Sequence, residues 1–285
     1  MTNRAAVVTG ASTGIGYATV RRLAADGWQV WGGVRSDHDA SHIERIDGAS
    51  SLRIDVTDDE QIETAFGEIA DSRGYLGLDL LVVNAGVVVG GPLEYVTPSD
   101  WRRQFDVNVV GVASSIRCAL PTLRLSNDPR IIIVGSINSR VGVPLLSPYA
   151  ASKHALVGLS SSLRRELGPT GPRITMIEPG AVRTPLWDKA REASLQIDHD
   201  LPMAGRREYG DFVEKAVEHL TGSSSSGLSP DRVAVVIEKC VARRNPPLRR
   251  LVGVDARVAA ALNAILSEKM FDRLIRRSRS VNIDL

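Results

Sequence analysis

A short apolar run, Ala5 to Val8, leads directly into Thr9-Gly10-Ala11-Ser12-Thr13-Gly14-Ile15-Gly16, and no other stretch restricts the possible folds as strongly. The run reads as a buried strand, and Tyr17, Val20, Leu23 and Ala24 follow at helical spacing. Glycines let the chain turn tightly and approach a ligand, while the start of a helix offers unpaired N–H groups to an anion. A pyrophosphate fits such a turn. The spacing is not GxGxxG, so an unliganded glycine turn is the alternative. Gly27 ends the helix and Trp28 to Val34 forms the next strand, which completes a βαβ unit of the dinucleotide-binding type. The expected fold class is therefore α/β, with a doubly wound, mostly parallel sheet.

With 285 residues and 43% hydrophobic content, the chain is long enough for one large domain spanning 1–285. The 35 basic residues nearly balance 33 acidic ones, which argues against nucleic acid or membrane as the main partner. Cys118 and Cys240 lie far apart and the five histidines do not cluster, so no metal site is expected and a reducing compartment fits. Glycines follow the first apolar run too soon for a secretory or spanning segment there, and a cytoplasmic location is expected.

Further along, the candidate site residues fall where strands end. After Val34 stand Arg35 and Ser36, where a carboxylate would favour a ribose 2′-hydroxyl and an arginine favours a phosphate. NADP(H) is thus expected in preference to NAD(H), the alternative being a solvated Arg35 with Asp37 or Asp39 handling the ribose. Ser51 to Val56 reads as a third strand ending at Asp55, followed by a helix capped at Thr57 or Asp58 and reaching about Arg73. Asp55 and Val56 are placed to bracket an adenine. Leu78 to Gly86 is a buried strand closing in Asn84, Ala85 and Gly86, which either face a ligand or brace neighbouring backbone.

Thr97 to about Leu125 carries two helical stretches with Asn108 inside them. Asparagine sits poorly in a helix interior, so Asn108 either perturbs the helix and offers polar groups to water or bridges the core. Arg130 to Val134 is a β-branched strand with Gly135 and Ser136 at its carboxyl end. Tyr149 and Lys153, four residues apart, share a helix face near its start if Leu156, Leu159 and Leu163 mark the buried side. A neighbouring ammonium stabilises a phenolate, so Lys153 is expected to lower the Tyr149 pKa from about 10.

Taken in order, these features strongly resemble the short-chain dehydrogenase/reductase family over roughly residues 3–185. TGxxxGIG is Thr9 to Gly16, NAG is Asn84 to Gly86, and the family's catalytic tetrad maps onto Asn108, Ser136, Tyr149 and Lys153. PGAVRT from Pro179 to Thr184 matches the segment that closes around the nicotinamide. Residues 162–184 and WGGVR near the adenosine end look like the steroid and retinol dehydrogenase branch, a look shared by bacterial members. The resemblance implies a Rossmann-type fold and reversible hydride transfer between a nicotinamide and an alcohol or carbonyl carbon. Ser136 would hold the carbonyl oxygen, Tyr149 would act as acid or base, Lys153 would hold the nicotinamide ribose, and Asn108 would position a water linking Lys153 to solvent. It also implies cofactor contacts at Gly10, Ser12, Thr13, Gly14, Ile15 and Gly16, at Arg35, Ser36, Asp55 and Val56, and at Asn84, Ala85 and Gly86. Tyr149, Lys153, Pro179, Gly180, Val182 and Thr184 complete that set. Thr13 stands where many NADP-using relatives carry a second basic residue, which leaves Arg35 to carry the cofactor preference.

The second half follows no fixed pattern. Residues 185–230 are expected to form a helical substrate lid. Leu186, Trp187, Leu195, Leu201, Met203, Tyr209 and Phe212 are candidates to line an apolar pocket with Val141, Val143, Leu145 and Leu146. Gly222 to Gly227 reads as a solvated linker, the alternative being a hinge. Ser229-Pro230 opens a helix, a strand is expected at Arg249 to Val254, and Asp255 to about Arg277 reads as one helix, so the C-terminal strand and helix occupy about 249–277. Its apolar side is expected to pack on the body or a partner subunit. Contact of Arg273, Arg276, Arg277 and Arg279 with anionic lipid is the alternative. The function expected overall is an NADP(H)-dependent reductase or dehydrogenase of a hydrophobic secondary alcohol or ketone, steroid-, retinoid- or lipid-like, working as a homodimer or homotetramer. A ketoacyl-thioester reductase and a non-catalytic cofactor-binding regulator are the competing readings.

Overall fold

The short apolar runs become strands because each is buried on both faces. In the computed structural model, which describes residues 4–189, 192 and 201–278, seven strands form a sheet ordered β3-β2-β1-β4-β5-β6-β7. They are β1 Ala5–Val8, β2 Gln29–Val34, β3 Ala49–Arg53, β4 Leu80–Val83, β5 Arg130–Val134, β6 Arg173–Pro179 and β7 Arg249–Val252, all paired in parallel. Alternate residues point to opposite layers. Ala5, Val7, Leu81, Val83, Ile131 and Ile133 enter one core, while Ala6, Val8, Leu80, Val82, Ile132 and Val134 enter the other. Burial of each larger side chain contributes about 1.5–3 kcal/mol. The doubly wound α/β class expected from the sequence is the observed one.

The helices with named bounds are α1 Gly14–Ala25, α2 Asp37–Glu44, α3 Asp59–Arg73, α4 Pro98–Phe105, α5 Gly111–Leu123, α6 Ser147–Leu167, α7 Met203–Ser226, α8 Pro230–Val241, α9 Val254–Ile265 and α10 Glu268–Ser278, and residues 185–189 are helical as well. Core residues of α3, α5 and α6 cover the first face, and those of α1 and α8 cover the second. The order of strands reverses between β1 and β4, so their carboxyl ends open the crevice where such sheets take ligands.

Three boundaries differ from the sequence reading. The third strand lies two residues earlier, at Ala49–Arg53, because Asp55 leaves the sheet. Its carboxylate accepts from the Thr57 N–H and hydroxyl, and its own N–H donates to Gln61 Oε1 at 3.0 Å. Residues 222–226, read as a linker, continue α7 to Ser226. Extending an existing helix needs no new nucleus, so weak helix formers are carried along until Gly227. The single C-terminal helix is two: Leu266 is extended, and the Ser267 carbonyl accepts from the N–H groups of Met270 and Phe271 to start α10. The expected apolar side is only partly covered in this chain: Val258, Ile265 and Met270 are exposed, while Leu262, Leu266, Phe271 and Leu274 are half-buried. Leu195 and Arg279, and the side chains of Phe212, Arg276 and Arg277, fall outside the described residues.

Candidate active site

The glycine turn is held open by backbone geometry and by Asn84. Gly10 and Gly14 adopt φ of 63° and 58°, which L side chains rarely adopt. A Cβ on Gly10 would lie 2.7 Å from Ala85 Cα, and one on Gly14 2.9 Å from Thr184 Cγ2. Asn84 takes the bracing role of the two that the sequence left open. Its Nδ2 donates to the Thr9 and Gly10 carbonyls at 3.2 and 2.9 Å, while its N–H donates to Thr9 Oγ1 at 3.0 Å. The N–H of Ala85 reaches the same hydroxyl at 3.2 Å. Thr13 precedes α1 without a side-chain cap, so the helix start presents Gly14, Ile15 and Gly16 N–H groups as a seat for an anion. Ser12 lies in the same turn. This cradle, whose space a Cβ would fill, fits the pyrophosphate of a nicotinamide dinucleotide.

At the adenosine end, Arg35 is 67% exposed and lies 3.7 Å from Asp55 Oδ2. Burial raises the Asp55 pKa, but hydrogen bonds from Thr57 and the Arg35 charge outweigh it and the net shift is downward. Ser36 is occupied as the cap of α2, accepting from the Asp39 N–H and donating to the Asp39 carboxylate at 2.7 Å. Asp37 pairs with Arg53 at 3.3 Å. Val56 is buried, and its carbonyl would meet a Cβ on Gly111 at 2.5 Å.

Tyr149 and Lys153 meet on the buried face of α6 as their spacing implies, with Lys153 Nζ 5.7 Å from the ring centre. Pro148, at the helix start, costs no hydrogen bond there. The expected lowering of the Tyr149 pKa is not observed. Burial pushes the phenol up to about 12 and a hydrogen bond with Ser136 pulls it only partly back. The same burial brings Lys153 down to about 8, and its Nζ donates to the Val134 carbonyl at 3.0 Å. At neutral pH the phenol is protonated and the ammonium charged.

Asn108 lies in a π-helical turn, Asp106–Val110, between α4 and α5, so the helix is perturbed there as its composition suggests. Its amide bridges protein groups. Oδ1 accepts from the Val87 N–H at 2.9 Å, and Nδ2 donates to the Val87 carbonyl at 3.0 Å and Ser152 Oγ at 3.2 Å. A Cβ on Gly86 would lie 3.4 Å from Asn108 Oδ1 and 3.9 Å from Lys153 Nζ, which joins the NAG turn to the tetrad.

Ser136 caps a 3₁₀ turn, Ile137–Ser139, in which its Oγ accepts from the Asn138 N–H at 3.1 Å and faces Asn138 Oδ1 at 3.3 Å. Behind this turn lies a cluster that sequence reasoning missed. Glu178, fully buried on β6, accepts from Arg140 Nε at 3.0 Å and Nη2 at 2.7 Å, and from Arg249 of β7. Arg249 also reaches the Ser139 carbonyl. A carboxylate inside the apolar strand RITMIEP is the signal that would have pointed to it, since buried charge demands partners.

Of the segment Pro179 to Thr184, the Gly180 N–H pairs with Val252, the Ala181 N–H donates to Asp255 Oδ2 at 2.8 Å, and Val182 bridges Leu228. Asp255, also missed, thereby ties this segment to α9. Of the pocket candidates, Trp187 packs edge-on against Tyr149 with ring centres 6.2 Å apart, and Val141 and Leu201 are buried. Met203 is 84% exposed and does not line a pocket in this chain. Tyr209 instead packs on Tyr95, and Leu145 takes a positive φ of 62° in the loop before Tyr149.

A model of the short chain dehydrogenase family matches residues 4–195. The chain belongs to that family. Among curated relatives of this dehydrogenase/reductase is an uncharacterised oxidoreductase of Bacillus subtilis, 31% identical over 95% of this chain and 100% of the relative. An NADPH-dependent 3-dehydrocapnine reductase of Ornithobacterium rhinotracheale is 31% identical over 95% of each chain. A crystal structure of a short-chain dehydrogenase from Streptomyces avermitilis superposes with a TM-score of 0.78 at 25% identity, over 99% of this chain and 98% of that one. This short-chain dehydrogenase/reductase is thus an NAD(P)-dependent oxidoreductase acting on a small molecule. No helix among the described residues is long and apolar enough to cross a membrane.

Proposed function

We propose that this enzyme is an NADP(H)-dependent reductase of hydrophobic ketones, with Tyr149 as the proton donor. The observation that carries the reading is the buried grouping of Ser136, Tyr149 and Lys153 at the carboxyl edge of the sheet, across from the glycine cradle. A reduced nicotinamide, when bound, supplies the hydride. Tyr149, protonated at neutral pH, gives its proton to the carbonyl oxygen as negative charge develops there. Ser136 holds that oxygen by a hydrogen bond, and Lys153, positively charged below about pH 8, stabilises the phenolate left behind. Asn108 keeps Val87 and Ser152 fixed beside the NAG turn, and in this reading also orders the water next to Lys153.

Three further parts of the reading rest on single features. Arg35, largely exposed at the end of β2, is available to a 2′-phosphate if it leaves Asp55, and the name of the Ornithobacterium relative states NADPH dependence. In this reading the described residues 185–189 and 201–230 belong to the substrate lid, with Trp187 against Tyr149 supplying an apolar wall. A homodimer or homotetramer fits the exposed apolar side chains of α9 and α10. The test is NADPH consumption with a panel of linear, steroid-like and retinoid-like ketones, together with dissociation constants for both reduced cofactors. Reduction of at least one class and tighter NADPH are expected; tighter NADH would overturn the cofactor preference, and no turnover of any ketone would overturn the activity.

A further inference from the structure

Asp255 stands in the first turn of α9, and its carboxylate occupies space that two glycines leave open. A Cβ on Gly180 or on Gly253 would fall on the carboxyl group, and Gly253 also holds a φ of 114°, which L side chains rarely adopt. One oxygen, Oδ2, accepts from the Ala181 N–H at 2.8 Å, 74 residues away in sequence. Backbone pairs hold the neighbours: the Gly180 N–H donates to the Val252 carbonyl, the Leu228 N–H to the Ala181 carbonyl and the Arg183 N–H to the Leu228 carbonyl, each at 2.9 Å. The contacts that follow show where this stretch leads. Thr184 lies against Gly14 at the anion seat, and Trp187 lies against the Tyr149 ring. The chain from Gly180 to Trp187 therefore runs between the glycine cradle and the proton donor, along the path from a pyrophosphate to a ring facing Tyr149. The adenosine end lies elsewhere, beside Arg35 and Asp55 past the ends of β2 and β3.

We infer that Asp255 is a positioning residue for the cofactor: through Ala181 it sets the chain from Gly180 to Trp187, on which binding of the nicotinamide half depends and binding of the adenosine half does not. The inference rests on the NAD(P) dependence of the enzyme and not on which ketone it reduces. A carboxylate bond to a backbone N–H is about twice as strong as a neutral one, and an asparagine at the same place keeps an acceptor oxygen that alanine lacks. Asparagine therefore serves in part where alanine does not.

The test measures Kd by calorimetry for NADPH and for adenosine 2′,5′-bisphosphate, which lacks the nicotinamide half, in the wild type, Asp255→Ala and Asp255→Asn. Unfolded protein lowers the stoichiometry and leaves Kd unaffected, so a loss of folded enzyme does not imitate the effect. Asp255→Ala is expected to weaken NADPH about tenfold and the bisphosphate less than about twofold, with Asp255→Asn recovering most of the difference. Gly180→Ala, which sets a methyl on the carboxyl group, is expected to give the same selective loss, and Asp255→Ala in that background to add little to it. An equal loss on both ligands, an unchanged Kd for NADPH in Asp255→Ala, or an Asp255→Asn as weak as Asp255→Ala overturns the assignment. NADH and AMP are measured beside them. Tighter NADH than NADPH overturns the cofactor preference proposed above, and the NADH and AMP pair then decides the inference by the same ratio.

Discussion

Lys153 is a buried cation, and its presence should be measurable as a pH-dependent penalty on folding. Burial lowers its pKa from 10.5 to about 8, equivalent to about 3 kcal/mol against the charged form. Below pH 8 the lysine is protonated in both folded and unfolded chains, so the penalty is present in full. Between about pH 8 and 10.5 the unfolded chain holds one proton more than the folded one, and stability therefore rises with pH. Tyr149 acts in the opposite sense at higher pH, because a phenol raised from 10.0 to about 12 costs stability only above pH 10. Staying below pH 10 isolates the lysine. From pH 7 to pH 9.5 the linkage relation gives a gain of about 2 kcal/mol from Lys153 alone.

The perturbation is Lys153→Met, which removes the titration and keeps most of the side-chain volume. Urea unfolding of both proteins at pH 7 and pH 9.5 gives the difference in stability at each pH, and other titrating groups cancel between them. Lys153→Met is expected to gain on the wild type at pH 7 and to lose about 2 kcal/mol of that relative gain at pH 9.5. A difference that stays constant with pH would refute the burial of a charged amine at this position. A cost retained at neutral pH is what an active-site cation requires, since the same charge is wanted beside the phenolate of Tyr149.

Other consequences are independent of that titration. Removing the carboxylate in Glu178→Ala leaves Arg140 and Arg249 facing each other behind the Ser136 turn. Because both arginines are about 30% exposed, a loss near the lower end for a broken buried pair, about 3 kcal/mol, is expected in urea unfolding. A loss below about 1 kcal/mol would show that the cluster is not holding β6, β7 and the turn together. Gly14→Ala places a Cβ at φ 58° against the Thr184 methyl, and cofactor affinity by calorimetry is expected to fall at least about tenfold. Thr184→Ser in that background, which deletes the offending methyl, is expected to restore part of the affinity; no recovery would mean backbone strain alone is responsible.

Local pattern sufficed wherever the determining interactions lie close in sequence or repeat along an element. Ala5 to Val8 announced β1 because a run buried on both faces must be apolar throughout, and Tyr149 and Lys153 announced a shared face because helical spacing puts them there. The family resemblance then ordered Asn108 and Ser136 around them. What the sequence could not display is pairing across long separations. Glu178 meets Arg140 and Arg249 across 38 and 71 residues, and Asp255 meets Ala181 across 74. The direction of the Tyr149 shift was also hidden, because proximity to a lysine is legible in spacing whereas the degree of burial is not.

Proton donation by Tyr149 is the step on which everything else depends, and Tyr149→Phe isolates it because the ring and its contact with Trp187 are kept while one oxygen is removed. The rate of carbonyl reduction at saturating NADPH, measured in a single turnover with a ketone accepted by the wild type, is expected to fall by about 100-fold or more. Cofactor affinity should stay within about twofold. An unchanged reduction rate in Tyr149→Phe would contradict the account.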